Sequence, residues 1–127
     1  MLEKTKKISI GKKTFIVKFP NVGQIIDLES LKVALSGNRY GQMVATGVRN
    51  VYMALDMIDT IAFFQTVAPE IGQYYDIKDY AALDVERMQQ FVDVYVKQIR
   101  PWFEGTLNAV QTATLKPTED EKSDDVQ

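Results

Sequence analysis

Acid and base chemistry in this chain has to come from carboxylates, lysines and tyrosines, because it contains no histidine and no cysteine. That removes the side chain best suited to proton transfer near neutral pH, the commonest metal ligand and the thiol nucleophile together. A carboxylate pair with helical spacing remains: Asp56 and Asp59, three residues apart and able to share one face. Glycoside or metal-dependent hydrolysis needs two such groups in a cleft with further polar ligands nearby, and no second acidic cluster accompanies these. The expectation is a solvated pair, or one neutralised by Arg49. Gly37-Asn38-Arg39-Tyr40-Gly41 lacks the Gly-Lys-Ser/Thr ending of a phosphate-binding loop and does not follow a strand. The G-x-S-x-G nucleophile motif does not occur either. The residues therefore indicate no catalytic group, no cofactor site and no metal site, and they favour a binding or assembly role over an enzyme.

Whatever these side chains do, the elements that position them must come from ordinary packing. A chain of 127 residues with 46% hydrophobic side chains suits one domain with a buried core. Without cysteine that core cannot be stapled by disulfides. No run of eighteen apolar residues is available for a membrane span, and the lysine-rich start has no apolar stretch after it to serve as a secretion signal. The net charge of −2 is unevenly distributed. Residues 1–19 carry six lysines against one glutamate, whereas residues 116–127 carry two lysines against five carboxylates. Such a basic end is compatible with nucleic acid, but no stacking aromatics are interleaved with the lysines. The preferred reading is a solvated edge hairpin whose lysines discourage strand-to-strand aggregation.

Ile8 and Ile10 alternate with polar residues, Gly11-Lys12-Lys13 intervenes, and Phe15, Val17 and Phe19 resume the alternation, which predicts a β-hairpin over residues 6–19. Asn21 and Gln24 form a capping-box pair that opens a helix over about 22–36, closed by Gly37-Asn38. Residues 39–47 read as a short helix or a turn. A helix over 48–68 is apolar around most of its circumference, so it is either the centre of the core or covered by another chain. Asp76 is placed to cap a short turn. Asp84 caps a last helix over about 84–113, in which Pro101 imposes a kink or a fresh start. Residues 116–127 hold too little apolar surface to offset chain entropy and read as a disordered acidic tail. The expected fold is α+β, mainly α: an N-terminal hairpin packed on three to four helices, forming one domain over residues 1–115.

Phe63-Phe64 and Trp102-Phe103 each put two large rings on neighbouring positions that diverge by about 100° on a helix. Either the hairpin and the other helices cover both rings of each pair, or one ring of each joins Met53 and Met57 in a surface for a partner. Methionine suits such a surface because its flexible thioether adapts to irregular apolar shapes. Tyr95 and Trp102 would then act as anchors. On this second reading the partner-binding candidates are Met53, Met57, Phe63, Phe64, Tyr95, Trp102 and Phe103.

The stretch Lys13-Thr14-Phe15-Ile16-Val17-Lys18-Phe19-Pro20-Asn21-Val22-Gly23-Gln24-Ile25-Ile26-Asp27-Leu28-Glu29, followed by an apolar helical body with Pro101-Trp102-Phe103 and an acidic end, resembles the small tail assembly chaperones and related small virion proteins of bacteriophages. The resemblance covers roughly residues 8–115. It implies a cofactor-free protein of the host cytoplasm or the virion that binds apolar helical segments of a tail component. Two alternatives stand beside it: a structural subunit of head, connector or tail that associates with its own copies, and a nucleic-acid-binding module, the least favoured of the three.

Overall fold

The computed structural model describes the backbone of residues 4–125 and the side chains of residues 4–113. It is α+β and mainly α. Strands β1 (Thr5–Ile10) and β2 (Lys13–Lys18) form an antiparallel hairpin, and six α-helices follow: α1 (Val22–Leu35), α2 (Tyr40–Thr46), α3 (Arg49–Thr66), α4 (Pro69–Tyr74), α5 (Val85–Val94) and α6 (Arg100–Asp125).

The hairpin register pairs Ile8 with Phe15 and Lys6 with Val17, which places Ile8, Ile10, Phe15 and Val17 on one face. Gly11 takes the left-handed conformation, φ +61, at the first central position of the two-residue turn, where a side chain would be strained. A two-stranded sheet has two open edges. At Ser9 the β1 edge is closed by the amide of Gln98, which accepts from the Ser9 backbone N–H at 2.9 Å and donates to the Ser9 carbonyl at 3.0 Å. A side chain here does the work of a third strand.

The helix boundaries follow local rules visible in the residues. Asn21 accepts from the Gln24 backbone N–H while the Gln24 side chain accepts from the Asn21 backbone, and both bonds measure 2.9 Å. Asp84 likewise accepts from the Arg87 backbone N–H at 2.8 Å. The cap before the 3₁₀ turn Tyr80–Ala82 is Asp79, however, and not Asp76, whose backbone is left-handed at φ 56 and cannot hold cap geometry. The expected long last helix is divided: a π-helical segment, Tyr95–Ile99, joins α5 to α6. Pro101 lies just beyond it and has no N–H to donate, and the widened turn is where that missing bond is absorbed. The backbone of α6 continues to Asp125. Side chains from 114 onward, which include the acidic tail expected over residues 116–127, lie outside the described residues.

The core is organised around the C-terminal half of α3. Phe63 packs on Tyr95 and Phe103, with ring centroids 5.6 and 5.3 Å away, while Phe64 packs on Phe91 and Tyr80, at 5.5 and 6.2 Å. Neighbouring rings diverge into two walls, and the central helix satisfies both. On the far side Phe19 closes over Trp102 and Phe103 at 5.5 and 5.6 Å. Phe63, Phe64, Tyr95, Trp102 and Phe103 are all buried within the one chain, so the reading that exposes one ring of each pair to a partner is corrected. Each such ring contributes about 1.5–3 kcal/mol through burial alone.

Candidate partner-binding groove

The N-terminal half of α3 is built differently from its C-terminal half. Beyond Leu55 the helix enters the core, but before it Tyr52 and Met53 stand about half exposed, and α2, which leans on this half, buries none of its residues. What holds α2 is polar. The Tyr40 hydroxyl donates to Asp59 Oδ1 at 2.6 Å, and the Lys32 ammonium lies 5.6 Å from the centre of the Tyr40 ring. Burial, followed by the hydrogen bond to Asp59 and its charge, pushes the Tyr40 phenol well above its usual pKa, so it remains a donor.

Asp59 is the hub of a charged cluster that ties four helices together. Its second oxygen accepts from Arg100 Nη2 at 3.1 Å, Lys32 Nζ lies 3.7 Å from the first, and the same Arg100 nitrogen reaches Asp56 at 2.8 Å. Arg100 also covers the Tyr95 ring at 5.2 Å. Burial, and after it the Asp59 charge, raises the Tyr95 phenol as well. Asp59 is therefore largely withdrawn from solvent while Asp56 stays partly exposed, and among the described residues neither is paired with Arg49, which sits exposed at the start of α3. Arg100, more than forty residues away, supplies the charge and pairs with both carboxylates. Among the described residues no group of three or more acidic side chains is gathered as a metal cluster would require. Ser9 and Lys12 have the bare spacing of an S-x-x-K motif, but they fall on a strand and its turn, and the Ser9 backbone is held by Gln98.

Between the C-terminal end of α1, α2 and the first half of α3 runs a groove of about 500 Å³. Leu35, Met43, Val51, Ala54 and Ile58 give it an apolar floor, and Arg39, Gln42 and Thr46 give it a polar rim. Val51, Ala54 and Ile58 repeat at three and four residues, so α3 presents one continuous stripe to it. Met53 is 48% exposed but projects from the other side of α3, about 200° around from Val51, and Met57 is half-buried against the core. Of the seven residues singled out from sequence, then, only Met53 is exposed, and none lines this groove. Sequence reasoning missed the groove because residues 39–47 are short and bracketed by glycines, and nothing local tells which stripe of α3 such a piece leaves open. The weak signal was the series Met43, Val44, Val48 and Val51, too apolar for a solvent-exposed turn.

A second apolar feature lies on α1, where Val22, Ile26 and Val33 are 75%, 59% and 44% exposed and are spaced by four and seven along one face. Among the described residues no helix is long and apolar enough to cross a membrane. Comparisons with protein-family models, with curated proteins and with solved structures return no match to this chain.

Proposed function

We propose that this protein is a non-enzymatic assembly factor of the bacteriophage tail-chaperone type, which holds an apolar helical segment of a partner protein in the α1–α2–α3 groove. The observation that carries the reading is the groove itself: an apolar floor with a polar rim, walled on one side by a helix that has no buried residue of its own. Helix-in-groove recognition lays the apolar face of a guest helix against an apolar groove, and the Val51, Ala54, Ile58 stripe offers such a wall. Methionine at position 43 suits a floor that must adapt to its guest. The resemblance in residues 8–115 supports the tail-assembly setting.

The test is to co-express Leu35→Glu and Thr46→Glu variants with the proteins of their source and weigh the complexes by light scattering. Both positions are exposed, so the fold is expected to survive, and the complex with the partner is expected to be lost in each. A complex that persists in both variants would remove the groove from the account.

The α1 stripe favours a second reading, a virion subunit that associates with its own copies. Val22, Ile26 and Val33 are arranged as one side of a helix–helix seam. Concentration-dependent oligomers abolished by Ile26→Glu would support it, and a monomer at all concentrations would dismiss it.

A further inference from the structure

The lysine-rich hairpin offers no base-stacking aromatic of its own, because Phe15 and Phe19, which fall among its lysines, pack against the core. The fold supplies such rings from elsewhere in the chain. At the β1–β2 turn, a cleft of about 650 Å³ is lined by Lys12 and Lys13 of the turn, Tyr74 and Tyr75 at the end of α4, and Arg87 and Gln90 of α5. Among the described residues it is lined by three cations and no carboxylate. Lys13 Nζ sits 5.0 Å from the centre of the Tyr74 ring, and the Arg87 guanidinium lies 5.2 Å from that of Tyr75. The two tyrosine rings meet edge to face at 4.9 Å, and the Tyr75 hydroxyl is fixed to the Ile10 carbonyl at 3.3 Å. Tyr75 is thereby locked to the hairpin, whereas Tyr74 is left 58% exposed beside two lysines.

We propose that this cleft binds single-stranded nucleic acid, with Lys12, Lys13 and Arg87 taking phosphates and Tyr74 stacking on a base. Three cations with no ion pair among the described residues select an anion, and an acidic peptide would satisfy them equally well. The exposed ring is what separates the two, because a planar base gains from stacking on it and a carboxylate side chain does not. A chain with net charge −2 repels polyanions at long range, which confines any contact to this basic end. The site is independent of the α1–α2–α3 groove and shares no residue with it.

The experiment is fluorescence anisotropy of a short labelled oligothymidine with the full chain, from low to moderate salt. Binding is expected at low salt, with log affinity falling against log salt at a slope of about −2, as three neutralised phosphates on a single strand require. The double variant Lys12→Ala, Lys13→Ala is expected to flatten that slope to about −0.7. Tyr74→Ala is expected to weaken binding about tenfold at unchanged slope, and Tyr74→Phe, which keeps the ring, to retain it. All three positions are exposed, so each variant is expected to fold, with circular dichroism as the control. Absence of binding at low salt overturns the proposal. So does an affinity indifferent to Tyr74→Ala, and so does displacement of the oligonucleotide by polyglutamate of equal charge, which would identify an acidic peptide as the guest.

Discussion

Replacing Tyr40 by phenylalanine removes one oxygen and with it the hydrogen bond that latches α2 onto α3. The bond is short, 2.6 Å, and its acceptor is a carboxylate, so its loss is expected to cost about 1.5–3 kcal/mol. Asp59 keeps Arg100 at 3.1 Å and Lys32 at 3.7 Å, so the buried charge remains paired and the core has no reason to loosen. Since α2 buries no residue, little else opposes its release, and the cost falls on α2 locally. At 1.4 kcal/mol per decade, that energy corresponds to an increase of about 10- to 150-fold in the rate at which α2 amides exchange through local opening. Native-state hydrogen exchange reads this residue by residue. The amides of Met43 to Thr46 are expected to accelerate by that factor while those of α3 beyond Leu55 and of α5 stay unchanged, and partner affinity is expected to fall as the groove loses its wall. Unchanged α2 exchange, or acceleration spread evenly over α3 and α5, would refute the idea that one polar latch builds the groove.

Three further outcomes follow from the packing. A methyl group at Gly72 would meet the Tyr80 hydroxyl at 3.0 Å, so Gly72→Ala is expected to destabilise by about 1–3 kcal/mol. The Tyr80 hydroxyl is buried without a hydrogen-bond partner, so Tyr80→Phe is expected to cost nothing and to rescue Gly72→Ala. A urea double-mutant cycle with coupling below about 0.5 kcal/mol would contradict this. Burial pushes the Tyr80 phenol up to about 12 and raises Tyr40 and Tyr95 as well. The folded state thus favours neutral phenols. Stability is complete below the unfolded value near 10 and should fall above it, by about 1.4 kcal/mol per pH unit for each buried phenol. Equal urea midpoints at pH 9 and pH 11 would show the expectation to be wrong. Finally, Phe63→Ala is expected to cost about 3–5 kcal/mol and Met53→Ala within about 0.5, measured by the same denaturation, because the first ring is buried and the second side chain half exposed. Similar costs for the two would mean that burial is misassigned.

Signals held in a few neighbouring residues were legible from sequence. The Asn21–Gln24 capping box, the Asp84 cap and the alternation of the hairpin need only local geometry, and each is found where its residues place it. The disturbance at Pro101 was visible too, though not its form, a π turn over Tyr95–Ile99 just upstream. Signals that depend on the fold were not legible. The apolar circumference of α3 was correctly seen, but periodicity is blind to which half is walled in. The structure encloses Phe63 and Phe64 and leaves Tyr52 and Met53 open. Arg49 seemed the natural partner for Asp56 because it lies two turns away, and the actual partner, Arg100, arrives on another helix. For the same reason the meeting of Lys12, Lys13, Tyr74 and Arg87 leaves no trace in any sequence window.

The central claim, that the α1–α2–α3 groove and not the aromatic core receives a partner, is tested most directly by photo-crosslinking in the cells that make the protein. A photoreactive residue at Gln42, exposed on the groove rim, is predicted to couple to an apolar helical segment of a different protein, while one at Thr14 on the outer face of the hairpin gives no such adduct. Adducts from position 42 only to further copies of this chain, or from neither position, would contradict the account.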